Sequence, residues 1–441
     1  MGVVRYESYK RDLELLVGDV GRGAYGRVEA DVRAALNGQA AAQLRRLVPR
    51  PVRREDGAFF TSGAVLEQVE ALIRQQILDL GFPARYWDPT CGAGDLLLAA
   101  AKQLDLRSSV LETAGQWGRQ IAGTDIHGPF VEVARLRLML QALDRHQRSG
   151  LAITPVPLDA LPKFFKRISV GDGLEAIRSK KRFSGQILLN PPYGGMRLDS
   201  KGAWSSGLTS QAAVFTADSS VLPVGNGGIV AVLPDVLRSG SRYEAWRTFI
   251  SERLKITDIV PHGLFDDYTD IDVFLMRARR RRSSAGQSSW WPAEVSSTPV
   301  EKYFEVRVGT VVDNRDPHEG PCVPYLTARD LGMRSEISDV TRRRNFRGRL
   351  FDPPFVVLRR TSRPAQGGSV SRGGAALVAG SDPIAVDNHL IVLSPFSRAQ
   401  ESCAEVIEEL NGSSVAKWLD ERIRCRHLTV SVVRSIPLPW A

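Results

Sequence analysis

Apolar residues recur at helical spacing through the first fifty positions, as in VEADVRAALNGQAAAQLRRLV, and predict a helical segment over residues 1–55. From 56 to 282 the pattern changes. Short apolar runs (RYWDP, QIAGTDI, ISVGD, GQILLN, GGIVAVLP, ITDIVP and DVFLMRA) alternate with amphipathic stretches. That alternation predicts an α/β fold, a Rossmann-like and mostly parallel sheet flanked by helices. A basic, Ser/Gly-rich stretch, RARRRRSSAGQSSWWP, reads as a linker over 283–299. Beyond 300, short strands, prolines and turns predict a mixed second domain over 300–441, with one clear helix in SCAEVIEELNGSSVAKWLDERI.

Composition narrows the class. The 441 residues can hold two or three domains, and 43% hydrophobic with 24% charged residues is the profile of a globular chain. No apolar run reaches the ~18 residues a membrane span needs, so no membrane partner is expected. Four cysteines (Cys91, Cys322, Cys403 and Cys425) show neither metal-ligand nor disulfide spacing, so no metal is expected and a reducing cytoplasm fits. The net charge of +10 favours a polyanionic partner.

The candidate chemistry lies at strand ends. Four predicted strands finish in polar residues, at Asp88, Asp125, Asp172 and Asn190, and ligands of open parallel sheets bind at that carboxyl edge. After Asp88 comes TCGAGD, a small-residue turn in which Gly92 and Gly94 let a ligand lie against the backbone. The third glycine of a dinucleotide fingerprint is replaced by Leu97, which argues against a dinucleotide. Asp125 can accept the two ribose hydroxyl protons of a nucleoside or, alternatively, cap a helix. The run ILLNPPYGGM stops its strand at Pro191 and Pro192. Asn190 offers a side-chain carbonyl and Pro191 a rigid chain carbonyl, an acceptor pair able to take both hydrogens of an exocyclic –NH2. Two converging hydrogen bonds favour the pyramidal amine, exposing its lone pair to an activated methyl group. Tyr193 is placed to stack on the base carrying that amine.

With these motifs the chain resembles γ-class, TaqI-like S-adenosylmethionine-dependent DNA methyltransferases that modify adenine N6. The resemblance implies that DPTCGAGD, with Asp88, Cys91, Gly92 and Gly94, is the methionine-binding loop. It further implies that Asp125 with Ile126 holds the ribose and Asp172 with Gly173 meets the cofactor's adenine. Phe60 and Thr61 become upstream cofactor contacts, and Asn190 borders the cofactor as well as the amine. NPPY, Asn190 to Tyr193, becomes the catalytic motif, and Phe265 the second ring against the target base or, equally, a core phenylalanine. The catalytic motifs cover 57–280. CVPYLTARDLG, PPFVVLRRT, VDNHLIVLSP and RHLTVSVVRSIPLP resemble the family's specificity domain, and residues 1–50 carry no part of the likeness.

Charge points the same way. Residues 341–372 hold nine arginines, among them Arg342, Arg343, Arg344, Arg347, Arg349, Arg359, Arg360 and Arg363, with one acid, Asp352. That density suits phosphate contacts, or a solvated basic face. The expected activity is site-specific methylation of adenine in double-stranded DNA by base flipping, with S-adenosylmethionine as cofactor. It belongs to the modification side of a restriction system, and a separate restriction endonuclease is the one further partner that reading allows. Cytosine N4, RNA adenine and a protein glutamine present the same kind of amine and stay open, as does a subunit of a larger complex.

Overall fold

The computed structural model describes residues 6–49, 61, 63–81, 85–198, 204–266, 268–281, 290–291, 297–331, 335–361, 374–396, 400–423 and 428–439. Phe60, Arg363, Cys425 and most of the expected linker lie outside them. The chain divides into two compact units, Met1–Leu237 with Ala245–Trp290, and Arg238–Glu244 with Trp291–Ala441.

The first unit opens with three helices, α1 (Glu7–Gly21), α2 (Tyr25–Leu36) and α3 (Gln39–Leu47), followed by α4 (Gly63–Leu80). The elements that build the sheet region are β1 (Tyr86–Asp88), α5 (Asp95–Ala101), α6 (Val110–Gln120), β2 (Ile121–Asp125), α7 (Gly128–Arg148), β3 (Ile168–Val170), α8 (Gly173–Arg178) and β4 (Gln186–Leu189). After a small hairpin, β5 (Gly195–Leu198) and β6 (Gly207–Ser210), come β7 (Gly228–Pro234), β8 (Leu254–Asp266) and β9 (Thr269–Arg280). Seven strands form one sheet in the order β3-β2-β1-β4-β7-β9-β8. The first five are parallel, and β9 runs antiparallel to both β7 and β8. The mostly parallel α/β sheet read from the sequence is present, with all seven apolar runs in it. Because β2 and β4 flank β1, the connections leave β1 in opposite directions, and the crevice opens beyond the carboxyl ends of β1 and β4.

The amino-terminal helices share the sheet domain's core: Tyr6, Leu13, Val17, Val32 and Leu44 join the same buried cluster as Leu97, Phe130 and Leu188. A buried ion pair sits against that cluster. Arg137 of α7 is 0% exposed. It lies 2.8 Å from Asp95 and donates to the carbonyls of Ala35, at 2.9 Å, and Ala93, at 2.7 Å. A second tie runs from Arg45 on α3 to Asp266 at 3.5 Å, with its guanidinium over the Tyr268 ring.

The second unit contains a five-stranded sheet, Phe304–Val308, Leu390–Pro395, Phe355–Arg359, Ala376–Val378 and Glu336–Ile337, and a three-stranded one, Arg343–Asn345, Cys322–Leu326 and Ala385–Val386. The single helix expected over 402–423 is two, Gln400–Asn411 and Ser413–Arg422. Gly412 interrupts them with an extended backbone (φ −73°, ψ 155°), as a residue of low helix propensity does.

Candidate active site

The turn after β1 is fixed mainly by its backbone. The Cys91 amide donates to the Thr124 carbonyl at 2.9 Å, and the Gly94 amide to the Cys91 carbonyl at 2.7 Å. Gly94 has φ +85°, and a Cβ there would come within 3.0 Å of Ala134, so only glycine suits both its conformation and its packing. Gly173 is equally constrained, since a Cβ would sit 2.0 Å from the Pro89 carbonyl oxygen. Cys91 is buried beside Gly123, and burial pushes its thiol pKa well up, so it is a packing group and not a nucleophile.

Three acids surround the turn, each in a different state. Asp88 is buried, and burial pushes its carboxyl up to about 7 against the pull of the Thr90 amide, which donates to it at 2.9 Å. Asp125 accepts from the Gly92 amide at 3.0 Å through Oδ2 and from the His127 amide at 2.9 Å through Oδ1, so it also clamps the glycine turn. Asp172 caps α8, with Oδ1 accepting from the amides of Leu174 and Glu175 at 2.7 and 3.0 Å. Capping, an alternative reading for Asp125, is thus what Asp172 does. Ile126 and Val170, 55% and 59% exposed, are apolar surface next to these acids.

Asn190 follows the last residue of β4. Its chain carbonyl is 3.4 Å from the Thr90 hydroxyl, which also reaches Asp88 at 3.3 Å, so the glycine turn and the NPPY segment are immediate neighbours. Its side-chain amide donates to the Thr61 hydroxyl at 2.8 Å, and its side-chain carbonyl accepts from the Tyr193 hydroxyl at 2.7 Å. Pro191 is buried, and Pro192 and Tyr193 are half-buried. The Tyr193 ring meets Phe265 edge-on, centroids 5.9 Å apart and planes at 88°. Phe265 is 4% exposed and belongs to the core cluster. The expected pair of parallel faces around a base is therefore not formed in this structure. Perpendicular rings at that distance are a favourable packing arrangement in their own right.

The arginines of the second unit divide by exposure. Arg342, Arg343, Arg347 and Arg349 are exposed, and Arg359 and Arg360 half-buried. Arg344 is 3% exposed: it pairs with Asp313, donates to the Asp316 carbonyl at 2.6 Å and lies over the Tyr325 ring. That corrects the expectation of a phosphate contact at 344, because alternation along Arg343–Asn345 turns the middle residue inward. Arg349 is ion-paired with Glu305 at 2.9 Å.

Sequence reasoning missed Thr90, Arg45 and the Arg137–Asp95 pair. The signal for Arg137 was present, a charge inside the apolar run VARLRLMLQAL. Among the described residues no group of three or more His, Cys, Asp or Glu is placed to hold a metal, and no helix is long and apolar enough to cross a membrane.

No family model matches the chain, and no curated protein does. Solved structures similar to it include a protein classed as a class I S-adenosylmethionine-dependent methyltransferase from Listeria monocytogenes, at 16% identity and TM-score 0.37, covering 54% of this chain and 65% of that one. Another is the type IIG restriction endonuclease BpuSI, at 14% identity and TM-score 0.42, covering 88% and 60%. A third is the type I restriction-modification methyltransferase subunit from Streptococcus thermophilus, at 18% identity and TM-score 0.33, covering 53% and 48%. The chain spans less than two thirds of the length of each.

Proposed function

We propose that the chain transfers a methyl group from S-adenosylmethionine to an exocyclic amine, adenine N6 in duplex DNA, as a γ-class, TaqI-like modification enzyme. The observation that carries this reading is the juxtaposition of the glycine turn with Asn190 at the sheet's switch point, bridged by Thr90. The residues at the turn fit the cofactor. Gly92 and Gly94, both at positive φ, shape the turn, Asp125 supplies a carboxylate at the next strand end, and exposed Ile126 and Val170 offer apolar surface for a purine. When bound, S-adenosylmethionine supplies the activated methyl group.

The chain's own residues do the rest. Asn190 Oδ1 and the Pro191 carbonyl accept the two amine hydrogens and turn the nitrogen lone pair toward the methyl donor. Tyr193 offers a ring to a base rotated out of the duplex, where stacking on an aromatic side chain is worth about 1–3 kcal/mol and offsets much of the flipping cost. DNA recognition falls to residues 300–441, with exposed Arg342, Arg343 and Arg347 as phosphate contacts.

The test is methyl transfer from labelled S-adenosylmethionine to duplex DNA, with the methylated base identified after digestion. Asn190→Ala is expected to lower kcat at least about a hundredfold, the scale of losing one preorganised transition-state hydrogen bond. Its cofactor affinity by calorimetry should stay near wild type. Label appearing on cytosine, RNA or protein would move the substrate assignment, and an Asn190→Ala enzyme with normal turnover would remove Asn190 from the chemistry.

A further inference from the structure

The acceptor that methyl transfer needs is already occupied. Asn190 Oδ1 takes a hydrogen bond from the Tyr193 hydroxyl at 2.7 Å, while Asn190 Nδ2 gives one to the Thr61 hydroxyl at 2.8 Å. An amide is chemically two-faced. Turned over, the same side chain would present –NH2 to the incoming amine and repel it, donor against donor. The oxygen end must therefore face the cleft, and the side chain must be held there, for the site to work at all.

Thr61 is placed to hold that side chain. It is 1% exposed and lies two residues before α4, whose Val65, Leu66 and Val69 pack into the core. Its hydroxyl oxygen meets the nitrogen end of the amide and leaves the oxygen end to face Tyr193. On the other side, Tyr193 is held edge-on against buried Phe265. A hydroxyl bonded there does what water cannot do selectively: it fills the acceptor with a single donor on a tethered ring that can rotate away.

We propose that Thr61 is a positioning residue that holds the Asn190 side chain in place, and that the Tyr193 hydroxyl is a placeholder on the same amide, displaced when the target amine arrives. This rests on the reading of Asn190 as an amine acceptor. It does not depend on which amine is methylated, because adenine, cytosine and glutamine amines all need the same oxygen. It changes the expectation for Thr61 from cofactor contact to holder of the catalytic amide. It also assigns Tyr193 two successive tasks, hydroxyl first and ring face second.

The experiment uses the full-length chain with S-adenosylmethionine and duplex DNA. Thr61→Val, which keeps the shape and removes the acceptor, should lower kcat about tenfold, the scale of one hydrogen bond to a positioned group. Cofactor affinity should change less than about twofold, and Thr61→Ser should recover most of the rate. Tyr193→Phe should lower KM for DNA, because the hydroxyl then no longer competes for Oδ1. A Thr61→Val enzyme that loses cofactor affinity at unchanged kcat overturns the proposal and returns Thr61 to the cofactor. A Tyr193→Phe enzyme with raised KM for DNA overturns the placeholder. A second readout needs no turnover. In protein labelled with 15N-asparagine, the side-chain amide signal lost in Asn190→Ala should shift and exchange faster in Thr61→Val. If it does not move, the network is wrong. If it moves while wild type methylates no amine, the network stands and the functional reading fails.

Discussion

The two loops that meet at the switch point are built by opposite means. After β1, Cys91, Gly92 and Gly94 are held by main-chain bonds and an Asp125 clamp, and behind them lies the sealed Arg137–Asp95 pair. After β4, Asn190 is held by two hydroxyls, each at the end of a rotatable side chain. A backbone-defined turn gives a ligand the same surface every time. A side-chain-defined one can exchange partners, which suits the proposed admission of a base. Rigidity at the glycine turn and exchange at Asn190 is the division of labour this implies.

The sharpest way to break the rigid half is Arg137→Leu. Removing one member of a buried pair strands Asp95 in the core, and the expected loss is about 3–5 kcal/mol of stability, measured by denaturant unfolding. Asp95→Leu combined with it should restore much of that loss by removing the stranded charge. A single variant with wild-type stability would show that the pair bears no load.

The next test is by pH. The Asp88 carboxyl is raised by burial to about 7 from an ordinary value of 3.8, so between those values the folded chain holds a proton the unfolded chain has released. Stability therefore falls as pH rises from about 4 to about 7 and is level above, by on the order of a few kcal/mol at most. Asp88→Asn should flatten that slope and be more stable than wild type at pH 8. An unchanged slope would mean that Asp88 is already ionised at pH 5.

The smallest effect is expected at the joint between the halves. Thr90→Val removes long hydroxyl contacts to Asp88 and Asn190, 3.3 and 3.4 Å, and should cost under about 1 kcal/mol of stability. Because the hydroxyl also lowers the Asp88 pKa, the midpoint of the stability–pH profile should move slightly upward.

The central strands β4 and β7 were legible because buried strands of a parallel sheet leave uninterrupted apolar runs, as in ILL before Asn190 and IVAVL before Pro234. The hairpin Gly195–Leu198 with Gly207–Ser210 was not, since its side chains are largely exposed and leave no such run. The strand ends gave Asp88, Asp125, Asp172 and Asn190, but their partners were out of reach. Thr61 and Asn190 lie 129 residues apart, and Ala35 and Arg137 lie 102 apart, and no local pattern encodes which distant side chain meets which. The inward turn of Arg344 was readable in principle from strand parity, but a run of three arginines hid the strand.

The bond from Arg137 to the Ala35 carbonyl has a consequence for modularity. A protein engineer cutting by motif would begin the catalytic module near residue 56 and treat the preceding helices as dispensable. Those helices carry one of the carbonyls that make a buried guanidinium tolerable, and α3 tethers the far hairpin through Arg45 and Asp266. The smallest transplantable cassette therefore starts at α1, and residues that share no recognisable motif travel with it as part of the same part.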